Sequence, residues 1–325
     1  MSETPIIHHK SCEDLSDLRD DTVTLTVTSP PYWNSVDYDR HAENPTQWYR
    51  TRRYQGAGKD FHDYIEWLGR ILDGVRRKTR PGGHCAIVIG TVLWNGRHFP
   101  VPFDLTARMV QGGWLFHQDI IWHKVTGGVK RAGTFIQKPY PGYYYPNQMI
   151  EYILVYRKPG PPIYSGRSEE EKRAARVEID RLFTLDVAHN LWNIPPVPPG
   201  YLEHPCPFPE EIPYRLIHLY SYPGDLVLDP FAGSGQTLKV ARALGRRAVG
   251  YETVLKYVEY ARRRIHEPLH LRPMQIIARF DKVALGTPRL DVRKGECHAL
   301  SQPRKSNQML LFGERSKERS RSPST

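Results

Sequence analysis

Residues 226–244 read LVLDPFAGSGQTLKVARAL: an apolar run ending in an acid, a loop with two glycines, then a helix-forming stretch. That order is half of a βαβ unit, because a helix must cross the sheet face before a second parallel strand can be laid down. The apolar run Ala248–Glu252 supplies that next strand. Such a chain excludes a helical bundle or a sandwich and requires a sheet with helices over its faces.

The remaining sequence follows the same alternation. Val23, Leu25 and Val27 alternate with threonines, a strand pattern that ends at Thr28-Ser29-Pro30-Pro31-Tyr32-Trp33, where two prolines forbid continuation. A helix is predicted over Asp60–Lys78, with Phe61, Tyr64, Ile65, Leu68, Ile71, Leu72 and Val75 on one face and Pro81-Gly82-Gly83 as its stop. Strands are predicted at Cys85–Ile89, Gln118–His123 and 149–157, and helices at Pro102–Gln111 and Gln236–Leu244. Residues 159–204 interrupt the alternation. There Ser168 and Glu171 form a capping box, and Ala175, Ile179, Leu182 and Phe183 give the helix that follows an apolar face. After about residue 268 the pattern fades, and the Ser, Arg and Lys-rich stretch 313–325 is expected to be disordered.

The glycine loop sits where open α/β sheets bind ligands, at the carboxyl end of a strand. A dinucleotide fingerprint would need glycine at Leu238, and a nucleoside triphosphate loop would need a lysine that this loop lacks. Glu252 ends the next strand, 17 positions after Gly235 (252 − 235), where a carboxylate can bind two ribose hydroxyls. A ribose-binding acid, an acid at Asp229 and no phosphate cradle together suit S-adenosylmethionine. The bland alternative is an ordinary strand–turn–helix connection.

Ser29-Pro30-Pro31-Tyr32 also ends a strand. An exocyclic amine on a nucleobase is a poor nucleophile because its lone pair is delocalised into the ring. The Ser29 hydroxyl and the Pro30 carbonyl can each accept an N–H and so localise that lone pair, with the prolines fixing their geometry. Tyr32 offers a flat face for a base flipped out of the duplex. Alone, these residues also read as a polyproline turn.

Together, the two strings resemble the amino-specific (cytosine N4 and adenine N6) DNA methyltransferases of the β arrangement, whose catalytic tetrad precedes the cofactor loop. Asp229 follows Ser29 by 200 positions (229 − 29). Further matching pieces are Trp67-Leu68, Trp122-His123-Lys124, Glu151 to Tyr156, and His204 to Pro209 leading to Arg215-Leu216-Ile217; the resemblance covers roughly residues 11–266. It implies a Rossmann-like S-adenosylmethionine-dependent methyltransferase fold, α/β, with a mostly parallel central sheet and an inserted target-recognition region. Ser29, Pro30, Pro31 and Tyr32 would be catalytic. Asp229, Pro230, Phe231, Gly233, Ser234, Gly235, Thr237 and Glu252 would hold the cofactor, with Phe208 and Pro209 beside it. Ser29 in the first position favours cytosine N4, since adenine enzymes of the family commonly have Asp there. Ser11-Cys12 stands where the family often has Gly-Asp, a departure in part of the cofactor pocket. Pro205-Cys206 mimics the nucleophile dipeptide of cytosine C5 enzymes, but in those the cofactor loop comes first, so Cys206 is expected to be structural.

A formal charge of +11 favours a polyanionic partner through counterion release. Double-stranded DNA is the expected substrate, and Trp33, Arg52, Arg53, Lys130 and Arg131 are the expected contacts. Adenine N6 methylation is the first alternative and a DNA-binding protein without turnover the second; RNA methylation is a third, because charge cannot separate the two nucleic acids. The reading divides the chain into a catalytic half (1–124), a remaining core strand with a target-recognition insertion (125–204), a cofactor-binding half (205–268) and a partly disordered extension (269–325). A cognate restriction endonuclease is an expected partner. Gln308-Met309-Leu310-Leu311-Phe312 resembles peptides that dock on the bacterial sliding clamp. Four scattered cysteines without a CxxC pair argue against a zinc site, and no apolar run reaches membrane-spanning length. A cytoplasmic location is expected.

Overall fold

The computed structural model describes residues 4–33, 60–94, 96–125, 141–142, 148–180, 183–198 and 200–271. Its centre is an eight-stranded sheet in the order β1-β10-β9-β2-β3-β7-β6-β8, with β4 (Val92–Trp94) and β5 (Arg97–Phe99) forming a separate hairpin. The strands are β1 (Ile6–His9), β2 (Val23–Thr28), β3 (Thr79–Ile89), β6 (Leu115–His123), β7 (Ile150–Arg157), β8 (Leu191–Asn193), β9 (Leu226–Asp229) and β10 (Arg247–Glu252). All neighbouring strands run parallel except β7, which is antiparallel to both β3 and β6. The expected mostly parallel α/β sheet is present.

The helices cover both faces. On one face, α1 (Phe61–Lys78) and α2 (Val101–Gln111) bury Tyr64, Leu68, Leu72 and Leu105 against Cys85, Ile87 and Ile89 of β3. On the other, α4 (Glu211–Tyr220), α5 (Gln236–Ala243) and α6 (Leu255–Arg264) bury Leu216, Leu238, Val240 and Val258 against Val27, Ala86 and Val88. The side chains of β3 thus alternate between two cores, as the period of a strand buried on both faces requires. Asp60 caps α1, its carboxylate accepting from the His62 amide at 2.7 Å.

Three expectations differ from the structure. Pro81-Gly82-Gly83 lies within β3, not between a helix and a strand. Thr79 pairs with Val23 and the next rung is His84 with Leu25, so the intervening residues bulge out. Gly82 takes φ +76 there, and a Cβ would sit 1.8 Å from the Pro161 carbonyl oxygen. Secondly, the capped helix in the insertion is short. The capping box forms, with Glu171 N–H donating to Ser168 Oγ at 3.1 Å and Ser168 N–H to Glu171 at 2.8 Å. The helix α3 (Glu169–Ala174) nevertheless buries none of its residues, and Ile179 is 66% exposed. A stripe with no facing surface cannot carry a helix further. Thirdly, the stretch 125–204 contributes two strands to the sheet, β7 and the short edge strand β8.

Candidate active site

The expected tetrad and the expected cofactor loop lie side by side. β2 and β9 are neighbours, with Leu25 opposite Val227 and Thr26 opposite Leu228. At their carboxyl ends the Thr28 hydroxyl donates to Asp229 Oδ1 at 2.7 Å, and the Thr237 hydroxyl donates to the Val27 carbonyl at 3.1 Å. These contacts join segments about two hundred residues apart. Thr28 was not singled out by sequence, because it reads as one more threonine in an alternating strand.

Both lips at this end of the seam are held by contacts with the rest of the fold. Pro30 is buried, while Ser29, Pro31 and Tyr32 are half-buried. The buried Tyr64 donates its hydroxyl to the Pro31 carbonyl at 3.0 Å, pinning the turn from α1. The Tyr32 hydroxyl donates to Glu151 at 2.8 Å, and Glu151 is paired in turn with Lys124. On the other lip, Pro230, Gly233, Ser234, Gly235 and Thr237 are buried and Phe231 is half-buried. Gly233 and Gly235 take positive φ of +48 and +78, and a Cβ on Gly233 would come within 2.7 Å of the His204 ring. Phe208 and Pro209 are buried behind the loop, where the Phe208 carbonyl accepts from Gln236 Nε2 at 2.8 Å.

Asp229 and Glu252 stand at the carboxyl ends of the neighbouring strands β9 and β10. Asp229 is buried and accepts from Thr28 and from the Phe231 amide at 3.1 Å. Burial pushes its carboxyl up to about 6, against the opposing pull of those hydrogen bonds. Glu252, at the end of β10, accepts from the Gly233 amide at 3.0 Å and the Val254 amide at 2.8 Å. Burial raises its pKa as well, again opposed by the amides. A buried acid, Asp229, and a half-buried one, Glu252, at adjacent strand ends suit a cationic ligand bearing a ribose. The Ser234 hydroxyl is buried and makes no hydrogen bond, a polar atom left for a ligand to satisfy. No lysine or arginine belongs to the loop itself. The donor set therefore fits S-adenosylmethionine and not a phosphate.

Behind the loop lies a charge cluster that sequence reasoning missed. Lys239 is fully buried with Nζ 2.6 Å from Glu210 Oε1, and Arg264 reaches the same oxygen at 3.2 Å while donating to the Ser234 carbonyl at 2.9 Å. Lys239 reads as a solvent-facing helix residue, and only tertiary packing reveals its burial.

Other expected sites fall elsewhere. Trp33 was expected at DNA, but it is 4% exposed and packs against Phe61, Trp94 and Phe99 with ring centroids 5.2, 6.4 and 4.3 Å away. A ring enclosed in this way belongs to the core and offers DNA little surface. Arg52, Arg53, Lys130, Arg131 and Gln308–Phe312 lie outside the described residues. Cys206 is exposed, not buried as a core cysteine would be. Cys12 is buried, and burial pushes its thiol up to about 12. Among the described residues there is no cluster suited to a metal, and no helix is long and apolar enough to cross a membrane.

Comparison with known proteins agrees with this geometry. The model of the N6/N4 DNA methylase family matches residues 23–263. The Type II methyltransferase M.MthZI of Methanothermobacter thermautotrophicus is 31% identical over 293 residues, covering 83% of this chain and 79% of that protein. TTHA0409 of Thermus thermophilus, solved in complex with S-adenosyl-L-methionine, superposes with a TM-score of 0.62 at 31% identity, over 81% of this chain and 93% of its own. PvuII DNA methyltransferase (cytosine-N4-specific) shares the fold at a TM-score of 0.59, with 18% identity over 88% of this chain and 95% of its own. The chain belongs to the N6/N4 DNA methylase family and is an S-adenosylmethionine-dependent DNA methyltransferase.

Proposed function

We propose that the enzyme methylates the exocyclic N4 of cytosine at a defined site in duplex DNA, by base flipping and direct transfer, as the modification partner of a restriction endonuclease. The observation that carries this reading is the pairing of β2 with β9, which brings Ser29 and Asp229 to the lips of one crevice. When bound there, S-adenosylmethionine supplies an electrophilic methyl group. Asp229, Glu252 and the backbone of Gly233 to Gly235 bind and orient it, with Pro230, Phe231, Ser234, Thr237, Phe208 and Pro209 shaping the pocket. Ser29 Oγ and the Pro30 carbonyl accept the two N–H groups of the target amine, steering its lone pair toward the methyl group. Pro31 stiffens that turn, and the Tyr32 ring stacks on the extruded base.

Ser29 is a neutral acceptor where the adenine enzymes commonly carry an acid, which favours cytosine. The similarity to M.MthZI, a Type II methyltransferase, supports a role in restriction-modification. Arg52, Arg53, Lys130 and Arg131 are proposed to contact DNA, and the segment 125–204 to read its sequence. Gln308–Phe312 is proposed to engage a sliding clamp, which a pull-down with and without Phe312→Ala tests. The deciding experiment for the base is to incubate the protein with labelled S-adenosylmethionine and unmethylated DNA, then identify the modified nucleoside by mass spectrometry. N4-methylcytosine is the expected product. N6-methyladenine would refute the choice of base while keeping the enzyme class.

A further inference from the structure

Among the described residues, β7 is the one strand of the large sheet that is antiparallel to its neighbours, and this reversal brings its first residues, not its last, to the active end. Glu151 is therefore delivered to the carboxyl ends of β2 and β3. Its carboxylate is only 15% exposed and is shared between two partners. One oxygen accepts from the Tyr32 hydroxyl at 2.8 Å, and the other is paired with Lys124 Nζ at the end of β6. Lys124 is itself held, with its ammonium 4.7 Å from the Trp122 ring centroid and its amide donating to the Met149 carbonyl at 2.8 Å. Gly90, just after β3, leaves the space this arrangement occupies. A Cβ there would meet Glu151 Cγ at 3.2 Å and Tyr32 Cε2 at 3.6 Å. Gln148 donates to the Thr91 carbonyl and hydroxyl at 2.9 and 2.8 Å, fixing that corner from the other side.

We propose that Glu151, with Lys124 balancing its charge, is a positioning residue that holds the Tyr32 ring at the angle needed to receive the target base. The proposal rests on the reading of Tyr32 as the base-stacking residue. A tyrosine ring fixed only at its backbone turns about two torsions. Tying its hydroxyl to a carboxylate removes that freedom before the base arrives, and pre-organisation of this kind raises the rate instead of cofactor affinity. Lys124 matters because it pairs with Glu151 where both side chains are mostly buried, and a lone charge at that depth is costly. Glu151 and Lys124 belong to stretches that matched the family's sequence pattern, but nothing in the sequence shows that they face Tyr32.

The test is a double-mutant cycle on methyl transfer to unmethylated phage DNA, followed with tritiated S-adenosylmethionine. Glu151→Ala should lower kcat roughly tenfold to a hundredfold, the worth of one charge-assisted hydrogen bond, with KM for S-adenosylmethionine unchanged. Glu151→Gln should recover most of the rate, since its amide oxygen still accepts from Tyr32. In the Tyr32→Phe background, Glu151→Ala should have little further effect, because the bond is already gone. A purely structural role would make the two effects additive, or would raise KM and lower thermal stability in step with the lost rate; either result overturns the proposal. Tyr32→Ala separates the two levels of argument. If it keeps wild-type turnover, the reading of Tyr32 itself falls. If it abolishes turnover while the Glu151 variants match wild type, only the positioning role falls.

Discussion

Replacing Asp229 by asparagine removes a buried charge at nearly constant size, and so separates the stability of the protein from its affinity for cofactor. Burial raises the Asp229 pKa from the ordinary 3.8 to about 6. A group raised in the folded state stabilises the fold most when protonated. That contribution is complete below 3.8 and is lost as the pH climbs through 6. The whole span is on the order of 3 kcal/mol, and about half of it falls between pH 5 and pH 8. The share of stability that Asp229 gives the cofactor-free protein should therefore be smaller at pH 8 than at pH 5. It is opposed by His84, His117 and His218, whose pKa values, lowered by desolvation, add stability as the pH rises over the same range, and D229N should lack the Asp229 share alone. Glu252, raised in the same direction, gives a slope of the same sign that remains in the variant. The asparagine amide introduces a buried N–H₂ that costs roughly 1–3 kcal/mol at every pH, so the slope and not the absolute stability is diagnostic.

Affinity should run the other way. S-adenosylmethionine carries net positive charge, which favours the ionised carboxylate, so its affinity should weaken toward tenfold per pH unit below about 6. In D229N it should be weak and nearly independent of this ionisation. Urea unfolding followed by tryptophan fluorescence reads the first effect, and titration calorimetry reads the second. An unfolding slope identical in wild type and D229N, or a wild-type affinity that is flat from pH 5 to pH 8, would refute the account of Asp229.

Thr28→Val keeps the shape of the side chain but removes the 2.7 Å bond to Asp229. Unfolding free energy at pH 8 should fall by roughly 1.5–3 kcal/mol, as expected for a hydrogen bond to a charged group, measurable by urea titration. Gly233→Ala must accept φ +48 and a Cβ 2.7 Å from the His204 ring. Calorimetry should show S-adenosylmethionine affinity reduced by at least about tenfold, with a smaller loss of stability of ~1 kcal/mol. Lys239→Met strands part of a buried charge cluster. Because Arg264 still faces Glu210, the cost should lie near the lower end of the roughly 3–5 kcal/mol range for breaking a buried pair, again read by urea unfolding.

The strands β2 and β9 and the glycine loop are legible in the sequence because their signals are local: alternation, apolar runs, and glycines at fixed offsets. The two acids are legible for the same reason, as each ends a recognisable strand. Thr28, Glu151, Lys124 and Lys239 are not, because their roles depend on partners far along the chain. Lys239 needs Glu210, and Glu151 needs β7 to run backward, a property no periodicity encodes. Trp33 misleads in the opposite way. Beside a proline turn it reads as an exposed aromatic, yet Phe61, Trp94 and Phe99 from three other elements enclose it. The helix at 169–174 shows that a correct capping box fixes where a helix starts, while its length depends on a surface to pack against.

The position of the crevice follows from connectivity alone. From β2 the chain passes through α1 to β3, moving one way along the sheet; from β9 it passes through α5 to β10, moving the other way. Right-handed crossovers in opposite directions must put their helices on opposite faces. The structure obeys this, with α1 in one core and α5 in the other. Where the chain leaves two neighbouring parallel strands in opposite directions, as it leaves β2 and β9, a cleft opens at their carboxyl ends whatever side chains line it. The tetrad and the cofactor loop are the segments that immediately follow these two strands. Their 200-residue separation is therefore no obstacle to catalysis, because the hydrogen bonds that join β2 to β9 are also the ones that set the two lips of the site in register. Leu25, Val27, Val227 and Leu228 along that seam are all fully buried, so the geometry of the active site is anchored in the most solvent-protected part of the core.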